Sequence, residues 1–302
     1  MRVGVTGASG LIGTALVEAL AERGDDVVRF VRPTSGPTHG DVVRWDPATG
    51  QVDEGDLRRV VGLDAVVNLA GAGIGDRRWT ATRKREILES RVASTSLLVR
   101  ALAQLPGGVA TLANASAIGF YGSRGDEVLD ESSPSGHDFL ADVCVRWENA
   151  SALAEGGTMV STLRTGIVMS AQGGALARQL PLFRVGLGGR LSTGRQWFSP
   201  ISLRDHVRAV LWVMDHRLSG PVNLTAPRPL TNSEFTGELA RLLHRPALAA
   251  VPAVALRAVL GRELCDVAVL ASQRVRPGVL SEQGFSFDHP DGATILEWAL
   301  RH

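Results

Sequence analysis

The sequence predicts an α/β fold: a doubly wound parallel sheet, with a smaller α/β unit towards the C-terminus. Three observations carry that expectation. Short apolar runs alternate with amphipathic helical stretches over about the first 170 residues, the pattern of parallel strands joined by helical crossovers. The first run, Val3-Gly4-Val5-Thr6, leads directly into Gly7, Gly10 and Gly13, with a helical pattern behind them. The chain has 302 residues, 44% apolar and 21% charged, enough apolar side chains for one large core or two intimate ones.

Taken in order, residues 2–5 read as the first strand. Residues 11–23 read as a helix with Leu11, Ile12, Ala15, Leu16, Ala19 and Leu20 on one face and Gly24 as its stop. Strand two spans 26–31. Residues 33–56 are turn-rich and contain Trp45-Asp46-Pro47. A buried strand at 65–69 runs into Ala70-Gly71-Ala72-Gly73, and a long helix at 83–105 stops at Pro106-Gly107-Gly108. The strand at 111–117 delivers Ser116 at its end. A polar loop, 119–136, precedes a helix at 138–154 and a strand at 160–168. Beyond residue 170 the alternation loosens. Helices are expected at 175–183, within 201–216, at 232–243, within 246–276 and at 293–300, a strand at 222–226, and a glycine-rich stretch at 186–194. The expected division is a dinucleotide-type unit over 1–170 and an interwoven substrate or lid unit over 171–302.

Composition narrows the partners. A net charge of +1 argues against nucleic acid or an acidic membrane surface. Cys144 and Cys265 are far apart and lie in no CxxC, which predicts a reduced, cytoplasmic chain. No apolar run approaches about 18 residues, and strand one begins at once, so neither a membrane span nor a leader is expected. The histidines show no metal-ligand spacing, so no metal is assigned. A monomer or a homodimer is expected.

The glycines are a place for a pyrophosphate. Gly7 allows the turn after Thr6, Gly10 allows close approach of the backbone, and Gly13 lets the helix lie on its strand. The helix amides near Leu11 and Ile12 meet the negative charge, and Ser9 lies in the same turn. At the end of strand two an acid would accept from a ribose 2′-hydroxyl. The sequence there is Phe30-Val31-Arg32-Pro33, and Arg32 suits a 2′-phosphate, which favours NADP(H) over NAD(H). Trp45-Asp46-Pro47 either walls the adenine pocket or braces the connection from strand two.

Several runs carry a resemblance: Thr6-Gly7-Ala8-Ser9-Gly10-Leu11-Ile12-Gly13, Asn68-Leu69-Ala70-Gly71 and Ser116-Ala117-Ile118-Gly119-Phe120-Tyr121-Gly122. With Glu89-Ser90-Arg91-Val92, Trp147-Glu148, Arg164-Thr165-Gly166 and the tail through Phe287, they cover essentially the whole chain. They resemble the short-chain dehydrogenase/reductase superfamily in its extended branch of nucleotide-sugar epimerases and dehydratases. More narrowly, the chain is similar to an atypical subgroup called epimerase family proteins. The resemblance implies a Rossmann fold, a nicotinamide cofactor held by Thr6, Gly7, Ser9, Gly10, Leu11, Ile12, Gly13, Leu69, Ala70 and Gly71, and a small-molecule substrate such as a nucleotide sugar.

The chain departs from the superfamily at its chemistry. There a tyrosine, followed one helical turn later by a lysine, moves the proton while hydride moves to or from the nicotinamide. Here Lys84 is the sole lysine and Tyr121 the sole tyrosine, in the wrong order, and the matching positions are close to Leu140 and Cys144. The remaining candidates for chemistry are Ser116, Tyr121 and Glu148, each set against a structural alternative. Ser116 contacts nicotinamide or substrate, or bonds its own backbone. Tyr121 donates to substrate, or packs. Glu148 acts as acid/base, or pairs with Arg146 or Arg91. Arg91 and Arg164 clamp a phosphate or carboxylate of the cofactor or the substrate, or are solvated. The readings that follow are an epimerase- or dehydratase-type oxidoreductase or isomerase, and a non-catalytic NADP(H)-binding module acting through a protein partner.

Overall fold

The structure, a computed structural model, describes residues 1–34, 40–105, 107–154, 157–247 and 249–302. Part of the turn-rich stretch, 35–39, and the proline of the Pro106-Gly107-Gly108 stop lie outside the described residues. Among the described residues eight strands form the main sheet: β1 (Arg2–Thr6), β2 (Asp26–Val31), β3 (Val42–Asp46), β4 (Gln51–Val52), β5 (Ala65–Asn68), β6 (Thr111–Ala117), β7 (Met159–Thr165) and β8 (Gly220–Leu224). Their order is β8-β7-β6-β5-β1-β2-β3-β4. Every pairing is parallel except the terminal β3–β4 hairpin. The order reverses beside β1, the point at which open α/β sheets bind ligands.

Helices cover both faces. Helix α1 (Leu11–Glu22) follows β1, α2 (Glu54–Arg59) follows β4, and α3 (Ala81–Leu102) and α4 (Phe139–Ser151) follow β5 and β6. Leu16 and Leu20 of α1 join Val3, Val5, Val207 and Val213 in one core cluster. Leu97, Leu98 and Leu102 of α3 join Val28, Phe30, Val66 and Leu112 in the other. The alternation of apolar faces fixes these layers, because each helix has one stripe to bury. Side chains start two of these helices: Thr80 caps α3 through the Arg83 amide, and Asp138 caps α4 through the Ala141 amide.

Past β7 the chain adds α5 (Gly174–Arg184), α6 (Leu203–Asp215), α7 (Asn232–Leu243) and a last helix, Gly292–Arg301. Phe235, Leu239, Ile295, Leu296, Leu176 and Phe183 form a third cluster beside the sheet. Strand β8 returns from this segment to the sheet edge and pairs with β7. The cap of α7 is Thr231, which forms a capping box with Glu234, while Asn232 turns inward to accept the Leu191 amide.

Two local expectations change. The strand expected over 160–168 divides at Gly166, because the Gly166 amide donates to Leu224 while the next amide donates to Ser199. The backbone thereby leaves the main sheet, and Ile167–Ser170 pairs instead with Pro200–Ser202. The turn-rich stretch also holds β3, which extends the sheet beside β2. It is held there by Asp56, 1% exposed, which accepts from the amide and guanidinium of Arg44.

Trp45 lies in β3 at 3% exposure and meets Phe30 edge to face at 5.9 Å. It is a core residue bracing β3 on β2. Trp45→Ala is therefore expected to cost about 3–5 kcal/mol of stability. Urea unfolding checks this, and a change confined to dinucleotide affinity would contradict the bracing role.

Candidate functional site

The loop from β1 to α1 is shaped by what its glycines avoid. Gly7 has a φ of +65°, and a Cβ there would stand 2.8 Å from the Leu69 carbonyl oxygen. A Cβ on Gly13 would overlap the Gly7 carbonyl oxygen. The loop is closed by a bond from the Gly10 amide to Gly7, 3.0 Å. Gly10 is the N-cap of α1 and provides no side-chain cap, so the first amides of the helix are available to an anion. Ser9 is exposed beside them, and Leu11 and Ile12 are half-buried. Leu11 reaches towards Gly173 of the C-terminal segment.

Thr6 binds the ends of two strands together. Its hydroxyl donates to Asn68 at 2.6 Å and accepts from the Leu69 and Ala70 amides at 3.0 and 3.2 Å. From Asn68 a buried polar ladder crosses to Thr95 and Asn114 at 2.8 and 2.6 Å, and the Trp147 indole N–H donates to Thr95 at 3.0 Å. Thr6, Asn68, Thr95 and Asn114 are each 0% exposed. The sequence reading leaves out Thr95 and Asn114. Their signal is a polar side chain inside an otherwise apolar strand or helix face, which demands a buried partner. Arg32 is exposed just past β2 and makes no ion pair among the described residues.

Ser116, Tyr121, Glu148 and Arg164 lie together in one network. The Ser116 hydroxyl donates to Glu148 at 2.6 Å. Arg164 meets the same carboxylate through both oxygens, Nε to Oε1 and Nη2 to Oε2, each 3.0 Å. Its Nη1 donates to the Tyr121 hydroxyl at 3.1 Å, and its guanidinium lies 3.5 Å from the centre of the Phe120 ring. The Tyr121 hydroxyl in turn donates to Asn223 at 2.7 Å. Glu131, also absent from the sequence reading, accepts from the Asn223, Gly278 and Val279 amides and carries the network into the tail. Burial raises its carboxyl above the ordinary value, while those amides pull the other way.

Other side chains surround this network, and Cys144 touches it through Ser116. Lys84 on α3 pairs with Glu263 at 2.8 Å and covers the Phe139 ring at 4.9 Å. Leu140 and Cys144 on α4 pack beneath Gly119, and the Cys144 thiol donates to Ala117 at 3.7 Å. Arg91 lies beneath Gly71 with its guanidinium 5.0 Å from the Trp147 ring. Arg195 lines a separate cavity of about 270 Å³ with Asp126, Thr193 and Ser272. Among the described residues no three His, Cys, Asp or Glu side chains gather as a metal site, and no helix is long and apolar enough to cross a membrane.

Burial pushes the Tyr121 phenol from 10.0 up to about 12, against the opposing pull of Arg164 and Asn223. Burial, with the Glu148 charge, likewise pushes the Cys144 thiol from 9.0 up to about 12. Both acids ionise more easily in the unfolded chain. The stability this confers is complete below about pH 9 and is lost as the pH climbs towards about 12. Phenolate absorbance and tryptophan emission are therefore expected to change together on alkaline unfolding. A phenol titrating near pH 10 in the still-folded protein would contradict the burial.

Comparison with known proteins matches this arrangement to a family. The model described as the NAD dependent epimerase/dehydratase family matches residues 3–225, and a domain of unknown function matches residues 251–299. An epimerase family protein of Mycobacterium bovis is 46% identical over 299 residues, covering 98% of this chain and 97% of its own length. Epimerase family protein SDR39U1 of Bos taurus is 35% identical over 303 residues, covering 98% of this chain and 99% of its own. The crystal structure of human epimerase family protein SDR39U1 (isoform 2) with NADPH has a TM-score of 0.91 at 30% identity and covers 100% of both chains. With its glycine loop on an eight-stranded Rossmann-like sheet, this chain belongs to the NAD dependent epimerase/dehydratase family, among the epimerase family proteins.

Proposed function

We propose that this chain binds NADP(H) along the C-terminal ends of β1, β2 and β5 and acts as an epimerase- or dehydratase-type oxidoreductase or isomerase on a small carbonyl or hydroxyl compound. The observation that carries the reading is the cradle. Side chains are excluded at Gly7 and Gly13, and the amides of α1 have no side-chain cap. The pyrophosphate belongs against Gly7, Ser9, Gly10 and the amides of Leu11, Ile12 and Gly13. Thr6 holds Leu69, Ala70 and Gly71 as the adjoining wall. Arg32, exposed and unpaired among the described residues, is the seat of the 2′-phosphate. The human relative solved with NADPH supports that choice.

When bound, the nicotinamide supplies or accepts hydride. The chain's own part is the proton. The Tyr121 hydroxyl is wholly buried, donating to Asn223 and accepting from Arg164, so this reading does not route the proton through it. Ser116, at the end of β6, holds the exchangeable proton on Oγ, with Glu148 Oε1 at 2.6 Å to polarise it. Arg164 holds that carboxylate in orientation through both oxygens.

A second reading, a non-catalytic NADP(H)-binding module, is favoured by the closure of Tyr121, Glu148 and Arg164 on one another. Purified protein incubated with NADPH and a panel of aldehydes, ketones and nucleotide sugars separates the two. Tight NADPH binding without turnover of any of them leaves only the module.

Arg32→Asp is expected to weaken NADPH by about tenfold or more and NADH far less, since it removes a charge-assisted contact worth roughly 1.5–3 kcal/mol. Titration of the bound cofactor's fluorescence measures both. Equal losses would remove the 2′-phosphate role.

A further inference from the structure

Arg91 differs from the other inward-facing arginines of this region in its lack of a counter-charge. Arg164 is matched by Glu148, and Arg83 by Glu86 at 2.7 Å and Asp76 at 3.5 Å. Arg91 has no carboxylate within 4.0 Å among the described residues. Among the described residues its hydrogen bond runs from Nη1 to the Ile87 carbonyl oxygen, 3.0 Å, within its own helix. The Nε–Nη2 edge has no protein acceptor among the described residues, and it is this edge of a guanidinium that takes an oxyanion through two parallel bonds.

The surroundings hold that edge in place. The side chain lies against Gly71, where a Cβ would approach its Cγ, Cζ and Nε at 3.3–3.4 Å. The Trp147 ring lies 5.0 Å from Cζ. Cys144 stands nearby as a neutral thiol, with its pKa up at about 12, and so offers no anion. Burial and the neighbouring Arg83 hold the Arg91 guanidinium below its ordinary pKa, as expected for a cation that the protein leaves uncompensated. The position is the C-terminal edge of β5 and β6, where this sheet architecture receives ligands.

We infer that Arg91 is a specificity-determining residue that seats an oxyanion of the substrate, so that the compound acted on carries a carboxylate or phosphate beside its reacting carbon. The inference rests on the proposed reading of the cleft as an NADP(H) and substrate site. A cofactor phosphate is the other source of the same chemistry, and the test separates the two.

Oxalate and inorganic phosphate are titrated into the wild-type chain without cofactor, at ionic strength matched with sodium chloride. Binding is read by calorimetry and by tryptophan emission, to which Trp147 contributes. NADPH affinity is measured separately. The expected result is saturable oxyanion binding that Arg91→Gln weakens by about tenfold or more and Arg91→Lys weakens less, with NADPH affinity held within about threefold in both variants. Thermal unfolding establishes that each variant folds, and Arg91→Lys serves alone if Arg91→Gln does not. The inference is overturned if the wild type binds no oxyanion, if Arg91→Gln (or Arg91→Lys where it serves alone) binds as the wild type does, or if the loss falls equally on NADPH, which assigns Arg91 to the cofactor. Oxyanion binding at Arg91 in a chain that fails to bind NADPH removes the dinucleotide reading and leaves the anion seat standing.

Discussion

Arg164 and Glu148 meet edge to edge through two bonds of 3.0 Å, and the arrangement of the site follows from that contact. It locks the end of β7 to α4. One carboxylate oxygen is shared with Ser116 on β6, and the remaining guanidinium nitrogen reaches Tyr121 and the Glu131 carbonyl oxygen. From Tyr121 the bonds continue to Asn223 on β8, and from Asn223 to the Arg276 carbonyl oxygen in the tail. Three adjacent strands, one helix and the C-terminal segment are thus fixed relative to one another by polar contacts at a single depth. Removing either charge from such a pair costs about 3–5 kcal/mol, because the survivor stays buried and unmatched. The pair therefore restricts the cleft to one arrangement more than it adds net stability.

The same contact fixes the surroundings of Tyr121. A phenol that donates to Asn223 and accepts from Arg164 is wholly buried and keeps its proton up to about pH 12. The sole lysine is placed elsewhere. Lys84 joins Arg78 and Arg178 in tying the 73–84 stretch to the C-terminal segment, through Glu263, the carbonyl oxygens of Ala258 and Val259, Gly75 and Asp76. The helix Ala253–Leu260 has no buried residue, and polar contacts from Arg78 tie it to the 73–84 stretch. On the proposed reading Tyr121 and Lys84 serve the structure, and Ser116 with Glu148 is the pair that the reaction draws on.

Much of the fold was legible because its signals are local. The span of β2, Asp26–Val31, and that of β6, Thr111–Ala117, follow from apolar runs bounded by breakers. The glycine loop follows from spacing alone. What escaped was non-local. Strand β3 is too short and too mixed in character to read as sheet, and it needs Asp56 and the Phe30 ring, supplied from other elements, to become one. The break at Gly166 depends on which carbonyl oxygens stand opposite, and no single run of sequence encodes that. In the site, Ser116, Tyr121, Glu148 and Arg164 were each visible as candidates. Their mutual bonding was not, because it joins residues up to 43 positions apart.

Charge pairing also divides the candidate arginines by role. Arg164 is neutralised within the protein, so its contribution is to orient Glu148. Arg32 and Arg91 are left without protein carboxylates among the described residues, one exposed past β2 and the other under Gly71. Between them lie the uncapped amides of α1. Leaving a half-buried cation such as Arg91 uncompensated is costly unless an anion arrives, whereas satisfying it would have needed only one acidic neighbour. The chain supplies such neighbours at Arg83 and Arg164 and withholds them here. On the proposed reading, that selective omission sets the order of the cleft. Ligand oxyanions complete it at Arg32, at the α1 amides and at Arg91, and the Ser116 hydroxyl stands at the end of the neighbouring strand, where the reacting carbon would be presented.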